Sequence, residues 1–240
     1  MAEGLRERKK QRTRQHISDV ATQLFIERGF DQVTVAEIAA AAEVSKMTVF
    51  NYFPRKEDLY LDRYQETRDL LLGAVRGRPA GRSVVEAARD LLIDLVRRRH
   101  PLGGILEGLP TFWEVVKESP ALGDRLRQQG QELAEELAGA LAEEAGVPAH
   151  DPTMRTVAGT IVTTIGVIYR EALRRLFDGE PVDKVHADQP RLIEEQFALL
   201  SAGLADFGRP TRSTTSTSSP GQRTGSTKAR RSSAKTRHAK

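Results

Sequence analysis

Between Thr34 and Lys56 the chain sets polar and cationic side chains at helical spacing: Thr34, Lys46, Thr48, Asn51, Tyr52 and Lys56. Their chemistry is donation of hydrogen bonds and positive charge. Lysine reaches base acceptors or phosphates, whereas threonine, asparagine and tyrosine are short polar groups suited to phosphate oxygens. Two bulky apolar residues, Met47 and Phe50, are interleaved with them.

That chemistry needs a frame which turns these side chains outward together. Residues 34–53, TVAEIAAAAEVSKMTVFNYF, supply a supporting helix, a tight turn and a second helix. Thr34 and Glu37 form a capping-box pattern that starts the supporting helix, with Val35, Ile38, Ala39 and Ala42 turned inward. Small residues from Ala39 to Ala42 allow close packing, and Val44 plugs the corner. Ser45 caps the second helix, Val49 and Phe53 anchor it, and it ends before Pro54. Lys46, Met47, Thr48, Asn51 and Tyr52 are then left facing outward. Phe50 has two readings, one on this surface and one in the core. Upstream, Ile17, Val20, Ala21, Leu24 and Phe25 mark one buried helical face, and Gly29 stops it. Three short helices are thus expected over residues 14–53.

The basic arm together with I-x-x-V-A-x-x-L-F-x-x-x-G-F, T-V-x-x-I-A-x-x-A, V-S, T-V-F-x-Y-F and K-E-D-L resembles the TetR family over residues 12–61. Beyond that segment the resemblance is topological. It implies a cytoplasmic regulator that binds double-stranded operator DNA as a homodimer. By this similarity Lys46, Met47 and Phe50 fall at base-contacting positions, and Thr48, Asn51, Tyr52 and Lys56 at phosphate-contacting ones. Thr34 is counted with the DNA-facing set. Three departures stand out: Glu43 replaces a usual turn glycine, Met47 a frequent glycine and Phe50 a frequent tyrosine. A glutamate in a left-handed turn costs roughly 1 kcal/mol, so a differently built turn is expected.

The remainder reads as all-α, since no run of alternating β-branched residues occurs. A fourth helix is expected over residues 55–75, a break at 76–82, and then helices over 83–99, 109–118, 121–145, 152–177 and 190–207. The domain division that follows is 1–54 for DNA binding, 55–208 for ligand binding and dimerisation, and 209–240 for a basic tail. The resemblance implies a cavity for an apolar or amphipathic effector, for which Leu106, Leu109, Phe112, Trp113, Val116 and Tyr169 are candidates; ordinary core is the alternative for each. It also implies a four-helix dimer interface built from the last two long helices. Small Ala158, Gly159, Thr163 and Gly166 would join Ile193, Phe197, Leu200 and Leu204 there, with an intramolecular core helix as the alternative.

Composition narrows the classes. The chain has 240 residues, 39% of them hydrophobic, which is enough to bury a core. Without cysteine it has neither disulfides nor thiolate metal sites. The scattered histidines give no metal spacing, no catalytic or nucleotide-binding fingerprint occurs, and no cofactor or enzyme activity is expected. The apolar run 157–169 is shorter than a membrane span, and the basic segment around residues 6–14 lacks the apolar stretch a secretory signal needs, so none is expected. Net charge is +4, but residues 209–240 hold nine Lys or Arg and no acid, leaving −5 over residues 1–208. Residues 1–16 carry six basic and two acidic side chains. Basic termini on an acidic body suit a polyanionic partner, and disorder is expected from residue 209 onward. The competing reading is a nucleoid-associated DNA binder with little sequence preference.

Overall fold

The computed structural model describes residues 2–103 and 105–204, without the side chains of residues 2, 3, 5 and 204. The expected tail, 209–240, lies outside the described residues. What is described is helical apart from turns and loops: α1 (Ala2–Arg28), α2 (Val35–Ala41), α3 (Lys46–Tyr52), α4 (Glu57–Tyr60), α5 (Tyr64–Arg76), α6 (Val84–Arg97), α7 (Leu109–Glu118), α8 (Pro120–Ala145), α9 (Pro152–Phe177) and α10 (Val182–Leu204).

Helix α1 buries Ile17, Ala21 and Phe25, a four-residue repeat that keeps one face inward, and Gly29 ends it at φ +82°. It also begins earlier than the apolar pattern implies. The expected basic arm is helical, because residues 5–16 are mostly strong helix formers that need no core contact to take this conformation. Arg14 is not a free cation: its Nη2 donates to the Asp62 carbonyl at 2.8 Å, and its guanidinium lies 4.6 Å from the centre of the Phe53 ring.

The expected helix over 55–75 is two helices. Leu59, Tyr60 and Leu61 are all buried, so three successive side chains must be covered, more than one helical stripe can supply. The interruption frees backbone acceptors, and distant side chains satisfy them. Ser18 Oγ shares its one proton between the Asp62 carboxylate at 2.6 Å and the Leu59 carbonyl at 3.2 Å, while Gln129 Nε2 donates to the Leu61 carbonyl at 3.2 Å.

Helices α7 and α9 have the expected bounds, whereas α10 starts at Val182 rather than Pro190. Pro190 therefore sits inside a helix, where it lacks the N–H that the His186 carbonyl would accept. Packing outweighs that loss: Val185, Gln189, Ile193 and Phe197 form an i, i+4 stripe, each at most 1% exposed, against the body of the protein. Ile193 and Phe197, expected at a dimer interface, are instead intramolecular core, and so is Ala158. The reason is rotational: with the helix begun at Val182, this stripe faces α6 and α9.

Two main cores result. The first joins α1–α4 with Val115, Val116 and Leu122 of α7 and α8. The second gathers Leu71, Leu92, Leu137, Ile161 and Phe197 from α5, α6, α8, α9 and α10. A small cluster of Ile105, Ala172, Leu176 and Val185 closes one end of α9.

Candidate nucleic-acid interface

The supporting helix α2 is held at its start by a complete capping box. Thr34 Oγ1 accepts from the Glu37 N–H at 3.3 Å, and Glu37 Oε2 accepts from the Thr34 N–H at 2.8 Å. Thr34 Oγ1 also donates to the same carboxylate at 2.8 Å, so both of its donors are committed to Glu37. Arg28 Nη2 adds a 2.8 Å ion pair, and these donors hold the Glu37 carboxyl down at about 2.

The turn is a Schellman motif. The Val44 N–H bonds the Ala39 carbonyl at 2.9 Å, and the Glu43 N–H bonds the Ala40 carbonyl at 3.2 Å. Glu43 takes φ +55°, so the turn expected to be built differently is left-handed after all, with glutamate in the glycine position. Val44 packing against the first core and the two backbone bonds over-determine this conformation. Exchanging Glu43 for glycine is expected to raise stability by about 0.5 kcal/mol: a left-handed penalty of roughly 1 kcal/mol is removed, and part is offset by glycine's freer unfolded chain. Chemical denaturation measures it, and a loss of stability would show that Glu43 makes a stabilising contact outweighing the strain.

Helix α3 starts at Ser45, whose Oγ accepts from the Thr48 N–H at 3.0 Å and shares a 2.8 Å hydrogen bond with Thr48 Oγ1. Val49 and Phe53, at 0% and 1% exposure, fix its inner face. Lys46, Met47, Phe50 and Asn51 are exposed, Thr48 is half-buried, and Tyr52 is half-buried against the first core. Phe50 is thus a surface residue, not a core one.

Lys56 precedes α4 and is more constrained than a surface lysine. Its Nζ donates to the Phe30 carbonyl at 2.6 Å and lies 4.2 Å from the Phe30 ring centre and 5.6 Å from that of Phe25. Burial lowers its pKa from the ordinary lysine value, partly opposed by Asp31, Glu57 and Glu37. One of the three ammonium donors is spent, and two remain.

The six candidate effector residues do not meet about one chamber. Phe112 stacks on Tyr60 with ring centres 4.4 Å apart, its carbonyl accepts from Tyr60 Oη at 2.9 Å, and Trp113 meets it edge-on at 6.0 Å. These two residues and Val116 belong to the first core, whereas Leu109 packs on the small cluster at the end of α9. Tyr169 donates its hydroxyl to the Leu102 carbonyl, and burial pushes its pKa up. Leu106 is half-buried in the loop before α7. A concavity of about 530 Å³ between α6 and α10 contains none of the six and is lined by Arg89, Asp90, Ile93, Asp94, Arg97 and Glu194.

Periodicity could not reveal the contacts that orient this surface. Arg125 Nε donates to Asp58 at 2.7 Å, and Ser119 Oγ to Asp31 at 3.2 Å, tying α8 and the residue that caps it to α4 and to the loop between α1 and α2, on either side of the helix-turn-helix, across 67 and 88 residues of chain. Among the described residues no group of His, Asp and Glu could hold a metal ion, and no helix is long and apolar enough to cross a membrane.

Residues 17–62 match the model of the bacterial regulatory proteins of the tetR family. The chain is 29% identical over 174 residues to the HTH-type transcriptional regulator TcmR of Streptomyces glaucescens, covering 70% of this chain and 76% of that protein. It is 25% identical over 168 residues to the HTH-type transcriptional repressor BepR of Brucella suis, covering 67% and 80%. Among solved structures, a SmeT–triclosan complex shares the fold at a TM-score of 0.50 and 17% identity, over 78% of this chain and 90% of that one. With the capped α2, the left-handed turn and the exposed α3 surface in place, the segment that matches the tetR family model, residues 17–62, is a complete helix-turn-helix with its supporting helix, and the chain is similar beyond it to bacterial transcription regulators of that kind.

Proposed function

We propose that this regulator is a homodimeric repressor that binds operator DNA through α3 and is released by a small apolar or amphipathic effector. The observation that carries the reading is the α3 surface: Lys46, Met47, Phe50 and Asn51 stand exposed on a helix whose opposite face is locked by Val49 and Phe53. In this reading Lys46 contacts a base edge, Asn51, Thr48 and Tyr52 contact backbone phosphates, and the free donors of Lys56 reach a phosphate beside α4. Thr34, its donors spent on Glu37, orients α2. Residues 1–54 carry the DNA-binding function, with Lys56 just beyond them, and residues 55–208 carry the effector and dimer functions.

Dimerisation is supported by large apolar side chains left in water on the last two helices: Val167 and Phe177 of α9, at 41% and 43% exposure, and Leu199 of α10 at 69%. Thr160 and Thr163 continue that exposed side of α9. The effector response is supported by the Tyr60–Phe112 stack, through which a displacement of α7 is felt in the first core. The named relatives include a repressor, and one fold neighbour is a complex with triclosan.

Selection of bound genomic fragments by the full-length protein tests the reading. Lys46→Ala is expected to relax base preference at one operator position by about 1–3 kcal/mol. Equal weakening on every sequence would make Lys46 a phosphate contact. Equal affinity for selected and random duplexes would favour a nucleoid-type binder instead. An effector that releases the selected DNA should alter Trp113 fluorescence in step, because the indole packs against Phe112 at the junction; release without that change would remove α7 from the response.

A further inference from the structure

Two large apolar side chains stand in water on the α3 surface: Met47 is 69% exposed and Phe50 47%. Neither is needed to seat the helix, since Val49 and Phe53 anchor it and Ser45 closes its start. At 100° per residue, Met47 and Asn51 each lie about 160° from Val49, one on either side of the outermost line, with Phe50 about 100° away beside Met47. Met47 thus lies near the outermost line with Phe50 beside it toward one flank, and the pair sits between the polar side chains of Lys46 and Asn51.

A seven-residue helix with so narrow an apolar strip suits a groove rather than a broad protein interface. In the major groove of duplex DNA, base edges present hydrogen-bonding groups and one apolar group, the C5 methyl of thymine. Lysine and asparagine match the hydrogen-bonding edges of guanine and adenine. Methionine and phenylalanine offer those edges no strong donor or acceptor, and bury them at a loss. The exposed cations Arg6, Arg8, Lys9, Lys10 and Arg12 of α1 give the same chain a positive segment complementary to phosphates.

We propose that Met47 and Phe50 recognise thymine methyl groups, so that each operator half-site carries thymine opposite them. The inference rests on the reading that α3 enters the major groove, and it adds which base is chosen and by which atom. Uracil keeps every hydrogen-bonding group of thymine and lacks only the methyl, so exchanging one for the other isolates the contact.

Duplexes enriched from a random library by the full-length protein are resynthesised with deoxyuridine replacing single thymidines. At one or two positions per half-site, binding is expected to weaken about fourfold per methyl removed, the amount one buried methyl-sized group supplies. Met47→Ala and Phe50→Ala should each erase the thymine–uracil difference at its own position and leave it at the other. Binding that enriches a sequence yet ignores uracil overturns the proposal while leaving operator recognition standing. A thymine–uracil difference that survives both alanine variants also overturns it, since another part of the chain then reads the methyl. If no sequence is enriched over random DNA, operator recognition fails and this inference with it.

Discussion

Replacing Phe25 with alanine is expected to cost about 3–5 kcal/mol and to abolish operator binding before the rest of the protein unfolds. The side chain is fully buried; its ring centre lies 4.8 Å from that of Phe30 and 5.7 Å from that of Tyr60, the latter edge-on. Truncation removes both aromatic pairs, each contributing about 0.5–1.5 kcal/mol beyond the area it buries, and leaves a cavity that α1 and α4 cannot both close. A whole domain is stable by only about 5–15 kcal/mol, so the loss is a large share. The second core, built on residues such as Leu137 and Ile161, contains none of Phe25's partners. Thermal unfolding followed by circular dichroism should therefore split, with an early loss from α1–α4 and a later one from the remaining helices. A single unshifted transition would contradict this account of separate cores. Phe25→Leu keeps most of the volume and should cost about 1.5 kcal/mol or less.

Arg125→Ala is the second change with a large expected effect. Its guanidinium bonds Asp58 at 2.7 Å and Glu132 at 3.0 and 3.2 Å, with the Arg125 and Asp58 side chains only 11% and 18% exposed. Removing the cation leaves two carboxylates facing each other in a site where water only partly replaces it. Breaking a fully buried pair costs about 3–5 kcal/mol, and the residual exposure reduces that to about 2–3 kcal/mol. The double variant Arg125→Met with Asp58→Leu should recover most of the loss, because the price is the orphaned charge and not the missing attraction. Since the pair fixes α4 to α8, operator affinity should fall in Arg125→Ala and return in the double variant. Equal losses in the two variants would mean that guanidinium packing, not charge, is what matters.

Much of the interface was legible because its signals are local. Thr34 with Glu37, Ser45 before Lys46, Gly29 after α1 and Pro54 after α3 each act within about four residues, the reach of a helical turn, so the helices and their outward side chains follow from the order of residues. Phe50 was ambiguous, since its rotation about α3 places it between the inner and outer faces; its 47% exposure resolves that. The turn shows how a local rule is outweighed. Glutamate disfavours positive φ, yet Glu43 adopts it because the Val44 and Glu43 amides both find carbonyls only in that geometry.

The sequence by itself determined an all-helical chain with a capped helix-turn-helix near its start, because short-range capping and apolar periodicity suffice for that. Tertiary structure decided the break between α4 and α5, the eight-residue advance of α10, and the inward turn of Ile193 and Phe197. It also decided that Phe112 and Trp113 belong to the junction with the first core. In each case the deciding partner is remote along the chain: Ser18 to Leu59, Tyr60 to Phe112, Gln129 to Leu61, and α10 to α6. A pattern read over a few turns records how much apolar surface an element must bury, but not which distant surface buries it. That choice belongs to the packing of whole helices, where one long stripe of buried side chains outweighs a proline in the wrong place.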